Sequence, residues 1–232
     1  KADNSSDTIV TEIPVTVAPP KVGEVQEVEI VPIAEEEKFV AQVEGGEKYT
    51  SVKAAIDAVG EEGTVKLLRN VTLGDSLSVG KTMTLDLNGR TITAPEGSHI
   101  LLVTANTFTL KDSSGSNAGK LTGGVGSNAR GGGVTIQGGA TFVMEGGTIT
   151  GNNGGKQSAG GVHLVGNAKF IMNGGVIAGN TSGTLQGGVY AGMGSVQVSG
   201  TATILGNKGT DGGKEIDSDL WLNTVSNVLL TI

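Results

Sequence analysis

The chain has 232 residues, 40 of them glycine, only 3% aromatic, and no cysteine, with a formal net charge of -7. Absence of cysteine excludes a disulfide framework and leaves the redox compartment open, and the scarcity of aromatic residues argues against an ordinary globular core. The acidic balance, with no basic stripe, excludes nucleic acid as a partner; no apolar run approaches the ~18 residues of a membrane span, so no membrane insertion is expected.

Residues 1–37 are polar, acidic and punctuated by valine and proline. They read as an extended tether, although the alternation from Val22 to Ile33 also permits an added edge strand. The chain opens on Lys1 with neither an initiator Met nor an apolar leader, as a mature or trimmed polypeptide would.

From residue 38 a folded domain begins and is expected to run to residue 232. Phe39 to Val43 and Lys48 to Tyr49 flank the hairpin-like turn Glu44-Gly45-Gly46-Glu47. Thr50 or Ser51 then caps a short helix whose apolar face is Val52, Ala55, Ile56 and Val59, ending at Gly60. The two divergent segments that follow carry Met83, Leu85, Leu87 and Ile92, then Phe108, Leu110 and Leu121, in short alternating bursts that read as strands. The interval from Leu110 to Val134 exceeds what a repeat requires, so part of it leaves the body as a loop.

Three nearly superposable units follow, Gly131 to Asn153, Gly160 to Ser182 and Gly187 to Lys208. Their Gly-Val openings fall at 133, 161 and 188, so the period is 28 and then 27. A fixed period of this size signals a solenoid. Each unit holds three short strands separated by Gly-rich corners, which makes one coil of a parallel β-helix. Stacking the coils puts like on like: Val134, Val162 and Val189; Phe142 and Phe170; Met144 and Met172; Ile149, Ile177 and Ile204. Asn152, Asn180 and Asn207 share a corner column, read as a structural asparagine ladder because asparagine tolerates left-handed backbone and its amide bonds from coil to coil. In the third unit Val196 and Val198 sit one residue early and Gly200 to Ala202 restores the count, as in a compensated bulge. Ile216, Leu220 and Leu222, then Val228, Leu230 and Ile232, supply one more coil, with Trp221 facing out or covering the end; the strand-like ending leads us to expect further sequence beyond Ile232.

Tyr49, Ser51, Val52, Ala55, Ile56 and Ala58, the run Gly63 to Leu68, Val71 to Leu73 and the Gly-Gly-Thr-Ile-Thr-Gly-Asn repeat together resemble the pectate-lyase-like, right-handed parallel β-helix domains of Gram-positive bacterial surface proteins. The resemblance covers roughly Phe39 to Ile232. It implies an all-β, right-handed parallel β-helix of about seven coils with a short N-terminal capping helix, and an extracellular or cell-surface location.

Lyases of that kind need clustered carboxylates for calcium and a nearby Arg or Lys as base, at equivalent positions of adjacent coils. Here the outward column beside the Met residues is read as Asn88, Lys111, Glu145 and Asn173, and its alternate as Asp86, Thr109, Val143 and Ile171. Neither forms a calcium site. Asp211, Glu215, Asp217 and Asp219 form the one acidic concentration of the folded part and read as a solvated corner. His99 and His163 lie two coils or more apart, and His163, between Val162 and Leu164, is expected to point outward. No catalytic residue, metal site or cofactor is assigned. The sequence favours a non-catalytic extracellular domain for display, adhesion or interaction with a glycan or host surface. A carbohydrate-active enzyme or carbohydrate-binding module on the same fold is the alternative, weakened by larger aromatics, Tyr49, Tyr190 and Trp221, that look dispersed.

Overall fold

The computed structural model describes residues 8–9, 35–127, 130–223 and 229–231. Over these residues the chain is a right-handed parallel β-helix whose short strands stack into three sheets. The chain meets them in a fixed order: sheet 1 at Thr64–Leu67, sheet 2 at Val71–Thr72 and sheet 3 at Leu77–Val79. The same order recurs in every coil. In the middle glycine-rich unit, for example, Val162–Leu164 lies in sheet 3, Lys169–Met172 in sheet 1 and Val176–Ala178 in sheet 2. The strands are two to five residues long, and from Asp86 to Thr203 a glycine or asparagine with positive φ interrupts the bursts.

Each apolar column expected from the repeat is a register column. Val134 pairs with Val162 and Val162 with Val189. Phe142 pairs with Phe170 and Met144 with Met172, while Ile149, Ile177 and Ile204 follow one another on sheet 2. All are buried except Ile204, which is partly buried because no strand follows it on sheet 2 among the described residues. The Phe column extends upward to Phe108, with ring centroids 5.9 Å apart for Phe108 and Phe142 and 5.3 Å for Phe142 and Phe170. Offset aromatic contacts of this kind add ~0.5–1.5 kcal/mol each beyond burial. The displaced count of the third unit also holds, since Val196 pairs with Phe170 and Ile204 with Ile177.

The solenoid makes about five turns rather than about seven. Sheet 3 holds six strands, so the chain goes round five times between its first and last. The ends of the domain are spent on other structures. At the start, Ala41–Val43 runs antiparallel to both Lys48–Tyr49 and Thr64–Leu67, a hairpin that closes sheet 1. Helix α1, Val52–Ala58, follows with Ser51 as its N-cap, the Ala54 N–H donating to Ser51 Oγ at 3.0 Å. Its buried Val52, Ala55 and Ile56 pack on that hairpin and on the first coil. The helix stops at Ala58, where Lys81 Nζ donates to the Asp57 and Val59 carbonyls at 3.2 and 2.6 Å, a cation on the negative end of the helix. At the far end, Lys208–Asp211 and Lys214–Asp217 form an antiparallel hairpin that carries Ile216, which therefore does not join the coil. Leu220–Leu222 then adds to sheet 3 and Leu229–Thr231 to sheet 1. Val228 and Ile232 lie outside the described residues, as does the Val22 to Ile33 segment. Thr8–Ile9 pairs antiparallel with Val71–Thr72 at the first edge of sheet 2.

Candidate functional site

The asparagine column is a hydrogen-bonded ladder with all of its amides engaged. Asn152 donates from N and Nδ2 to Asn180 Oδ1 at 3.1 and 2.9 Å, and Asn180 does the same to Asn207 Oδ1 at 3.1 and 2.9 Å. Each Nδ2 also reaches a main-chain carbonyl one coil back: Leu121 for Asn152, Ile149 for Asn180 and Ile177 for Asn207. The side chains are buried and satisfied, which is the state buried amides require. The left-handed backbone falls on Gly151, Gly179 and Gly206, at φ 65°, 64° and 68°, rather than on the asparagines that follow them. The glycine makes the corner and the asparagine ties it to its neighbour.

The acidic concentration near the end of the chain divides into different roles. Asp219 Oδ1 accepts from N and Nδ2 of Asn207 at 2.8 and 2.9 Å and so terminates the ladder. Asp217 pairs with Lys208 at 2.6 Å across the terminal hairpin, which also carries Asp211 and Glu215. Among the described residues no group of three His, Asp or Glu side chains is placed to hold a metal ion.

The charged column beside the Met residues differs from the sequence alignment. Lys111 stands opposite Asp86, not Asn88, and Thr109 stands opposite Thr84, not Asp86. The slip arises because successive coils differ in length: Met83 and Phe108 are register partners, as are Phe108 and Phe142, at separations of 25 and 34 residues. Asp86 is buried and accepts the Asn88 and Ser113 amides, each at 2.9 Å. Asp112, one coil on, accepts from Gly89 N at 2.7 Å, Ser114 N at 3.1 Å and Gly119 N at 2.7 Å. Burial alone raises the pKa of Asp112, but bonds from Gly119, Ser114 and Gly89 outweigh it and hold the carboxyl below its usual range. Both carboxylates fasten a corner.

The outer face of sheet 3 is where chemistry-bearing side chains converge. Its outward register column runs Ser78, Leu102, Thr135, His163, Tyr190, Trp221. Tyr190 and Trp221 are therefore neighbours on adjacent strands, although 31 residues of sequence made them look dispersed. The inserted hairpin at Lys208–Asp217 accounts for the departure from the repeat spacing. His163 does point out of the tube, as expected, yet it is only 6% exposed. Residues of the long loop lie over it: Thr135 Oγ1 accepts the Gly131 N–H at 2.9 Å, and a side chain on Gly131 would begin 2.9 Å from His163 Cβ. Its ring also packs on Tyr190, centroids 5.1 Å apart. Burial pushes the His163 pKa down to about 4, so the imidazole is neutral at physiological pH.

Beside this column lies a pocket of about 300 Å³, lined by His163, Leu164, Val165, Gly166, Tyr190, Gly192, Met193 and Asn223. Met193 and Trp221 are the exposed large apolar groups here, at 46% and 39%. The depression is shallow and largely open, with Tyr190 and Met193 as its larger side chains, while Trp221 stands next to Tyr190 in register on the adjoining strand. Sequence reasoning missed it because the signal was a register, not a motif. Compared with protein-family models, with curated proteins and with solved structures, the chain matches none.

Proposed function

We propose that this chain is a non-catalytic extracellular repeat domain of a bacterial surface protein that engages a glycan on a host or cell surface. The observation that carries the reading is the in-register column of His163, Tyr190 and Trp221 beside a pocket on the outer face of sheet 3. Sugar rings present apolar faces and polar edges, and partly exposed tyrosine and tryptophan match both, with an apolar body and one polar handle. The extracellular, Gram-positive placement rests on the resemblance to pectate-lyase-like surface solenoids. The carboxylates of Asp86, which is buried, and Asp112, which is half-buried, are bonded to backbone amides, which supports a structural use of these groups over a catalytic one.

Binding to immobilised polysaccharides tests the reading, with the whole chain retarded in affinity electrophoresis and Trp221→Ala released. Retardation by no polysaccharide in a broad panel, or retardation that Trp221→Ala leaves intact, refutes it.

A further inference from the structure

We infer that the corner between sheets 1 and 2 is a docking surface for a linear polyphosphate chain, laid along the solenoid axis across Arg69, Arg90 and Lys120. This surface is separate from the sheet 3 column. Its first support is charge. Arg69 and Arg90 stand two residues ahead of the register partners Val71 and Ile92, so they enter sheet 2 side by side in successive coils. Lys120 follows in the next coil, paired with Thr91. Adjacent coils lie ~4.8 Å apart, which sets the three cations in a row. Arg90 and Lys120 are exposed and Arg69 is half-buried, and none of the three makes an ion pair among the described residues. On the sheet 1 side of the same corner, Lys66 and Lys111 flank Asp86 in register. Five of the chain's 16 lysines and arginines therefore gather over three coils, although the net charge of the whole is -7.

Nearby carboxylates do little to cancel this charge. Asp86 is engaged by the Asn88 and Ser113 amides, and Asp112 by those of Gly89, Ser114 and Gly119. Glu145, which follows Met144 as Lys111 follows its partner Leu110, ends the run. Beside the row, the outward positions of sheet 2 are neutral hydroxyls, Thr72, Thr91, Thr93, Thr122, Thr148 and Thr150.

The second support is the match of donors to acceptors. Ammonium and guanidinium groups only donate hydrogen bonds, and a guanidinium fork meets two phosphate oxygens at once. A phosphate chain brings acceptor oxygens alone, whereas a sugar edge or a peptide brings hydrogens that these cations cannot accept. No aromatic side chain stands on this face to stack a nucleic-acid base. Cations set one per coil in a row also fit a thread better than a flat headgroup surface.

Calorimetric titration of the whole chain with inorganic polyphosphate tests the inference. We expect saturable binding that weakens as salt rises, because exposed charges are screened within about 10 Å at 0.1 M, and no measurable binding of orthophosphate. Arg69→Gln, Arg90→Gln and Lys120→Gln combined should lose at least tenfold in affinity with an unchanged circular dichroism spectrum. Lys156→Gln, Lys169→Gln and Lys214→Gln combined remove the same charge from exposed positions elsewhere and should lose less than twofold. Pectate and duplex DNA should bind at least tenfold more weakly than polyphosphate. Equal losses in the two triple variants would reduce the effect to net charge and overturn the site. Pectate or DNA binding as tightly as polyphosphate overturns the phosphate assignment, and no binding of polyphosphate overturns both. Trp221→Ala should leave polyphosphate binding unchanged, so failure here is distinct from failure of the glycan reading.

Discussion

Asp219 offers a single carboxylate oxygen to both the main-chain and the side-chain amide of Asn207, at 2.8 and 2.9 Å, and so occupies the place of a fourth ladder asparagine. Asn207 is fully buried, so removing that acceptor leaves its main-chain N–H unpaired and its Nδ2 with main-chain carbonyls alone. Asp219→Ala should cost about 1–3 kcal/mol, the range for a buried polar group left unpaired. Asp219→Asn, which keeps a carbonyl oxygen in place, should recover most of the loss. Urea unfolding of the two variants decides it: equal midpoints would show that the ladder does not end on this residue.

Inside the ladder, Asn180→Leu removes the acceptor for both Asn152 amides, and Gly179→Ala forces a side chain into φ 64°. The first should destabilise by about 1–3 kcal/mol, the second by about 1–2 kcal/mol from the left-handed backbone alone. Thermal melts of the single and double variants should show less than additive losses, because the two residues serve one corner. Strict additivity would separate the corner from the ladder.

Ile177→Asp buries a charge in the middle of a stacked column and should prevent folding or cost more than about 4 kcal/mol. His163→Ala, which alternation alone would class as a surface change, should cost about 1–3 kcal/mol because the ring is covered by the Gly131 segment and packed on Tyr190. Denaturant midpoints provide the comparison. A His163→Ala variant as stable as the parent would mean that the covering loop is not closed in solution.

The same imidazole makes stability depend on pH. Burial holds its pKa at about 4 in the folded chain, below the ordinary imidazole value of about 6.5, so the unfolded chain takes up the proton first as pH falls. Its contribution is complete above about pH 6.5 and is lost on the way down to pH 4, at up to about 1.4 kcal/mol per pH unit. Unfolding free energies measured from pH 7 to pH 4 should fall more steeply for the parent than for His163→Gln, which has no proton to bind. Parallel curves would contradict the burial.

Incubated with pectate, alginate or glycosaminoglycans, with or without calcium, the chain should release no unsaturated product absorbing in the ultraviolet. Lys111 faces Asp86, whose carboxylate is already engaged by two backbone amides, so the column lacks a free acidic cluster beside its base. Turnover abolished by Lys111→Ala would reverse this conclusion.

What the sequence made readable follows from what repeats. The Val, Phe, Met and Ile columns recur at 27 or 28 residues because stacked positions see the same surroundings, so residue identity alone aligned them. Asn152, Asn180 and Asn207 were legible for the same reason. The outer face of sheet 3 was not, since nothing outside the tube demands like on like, and Tyr190 to Trp221 spans an inserted hairpin. Asp86 was misaligned because the early coils change length. The burial of His163 depends on a loop whose path over the sheet leaves no periodic trace.

The hairpin and helix at the start of the domain also bear on how copies meet. A bare solenoid end offers three parallel edges in the same register as those at its other end, a template on which molecules could polymerise into fibrils. Here sheet 1 ends in the two-residue strand Lys48–Tyr49 with α1 following at once, and sheet 2 ends in the antiparallel pair Thr8–Ile9, while sheet 3 keeps its parallel strand Leu77–Val79. The three edges at this end no longer match three edges anywhere else on the described chain, so head-to-tail growth finds one partner strand where it needs three.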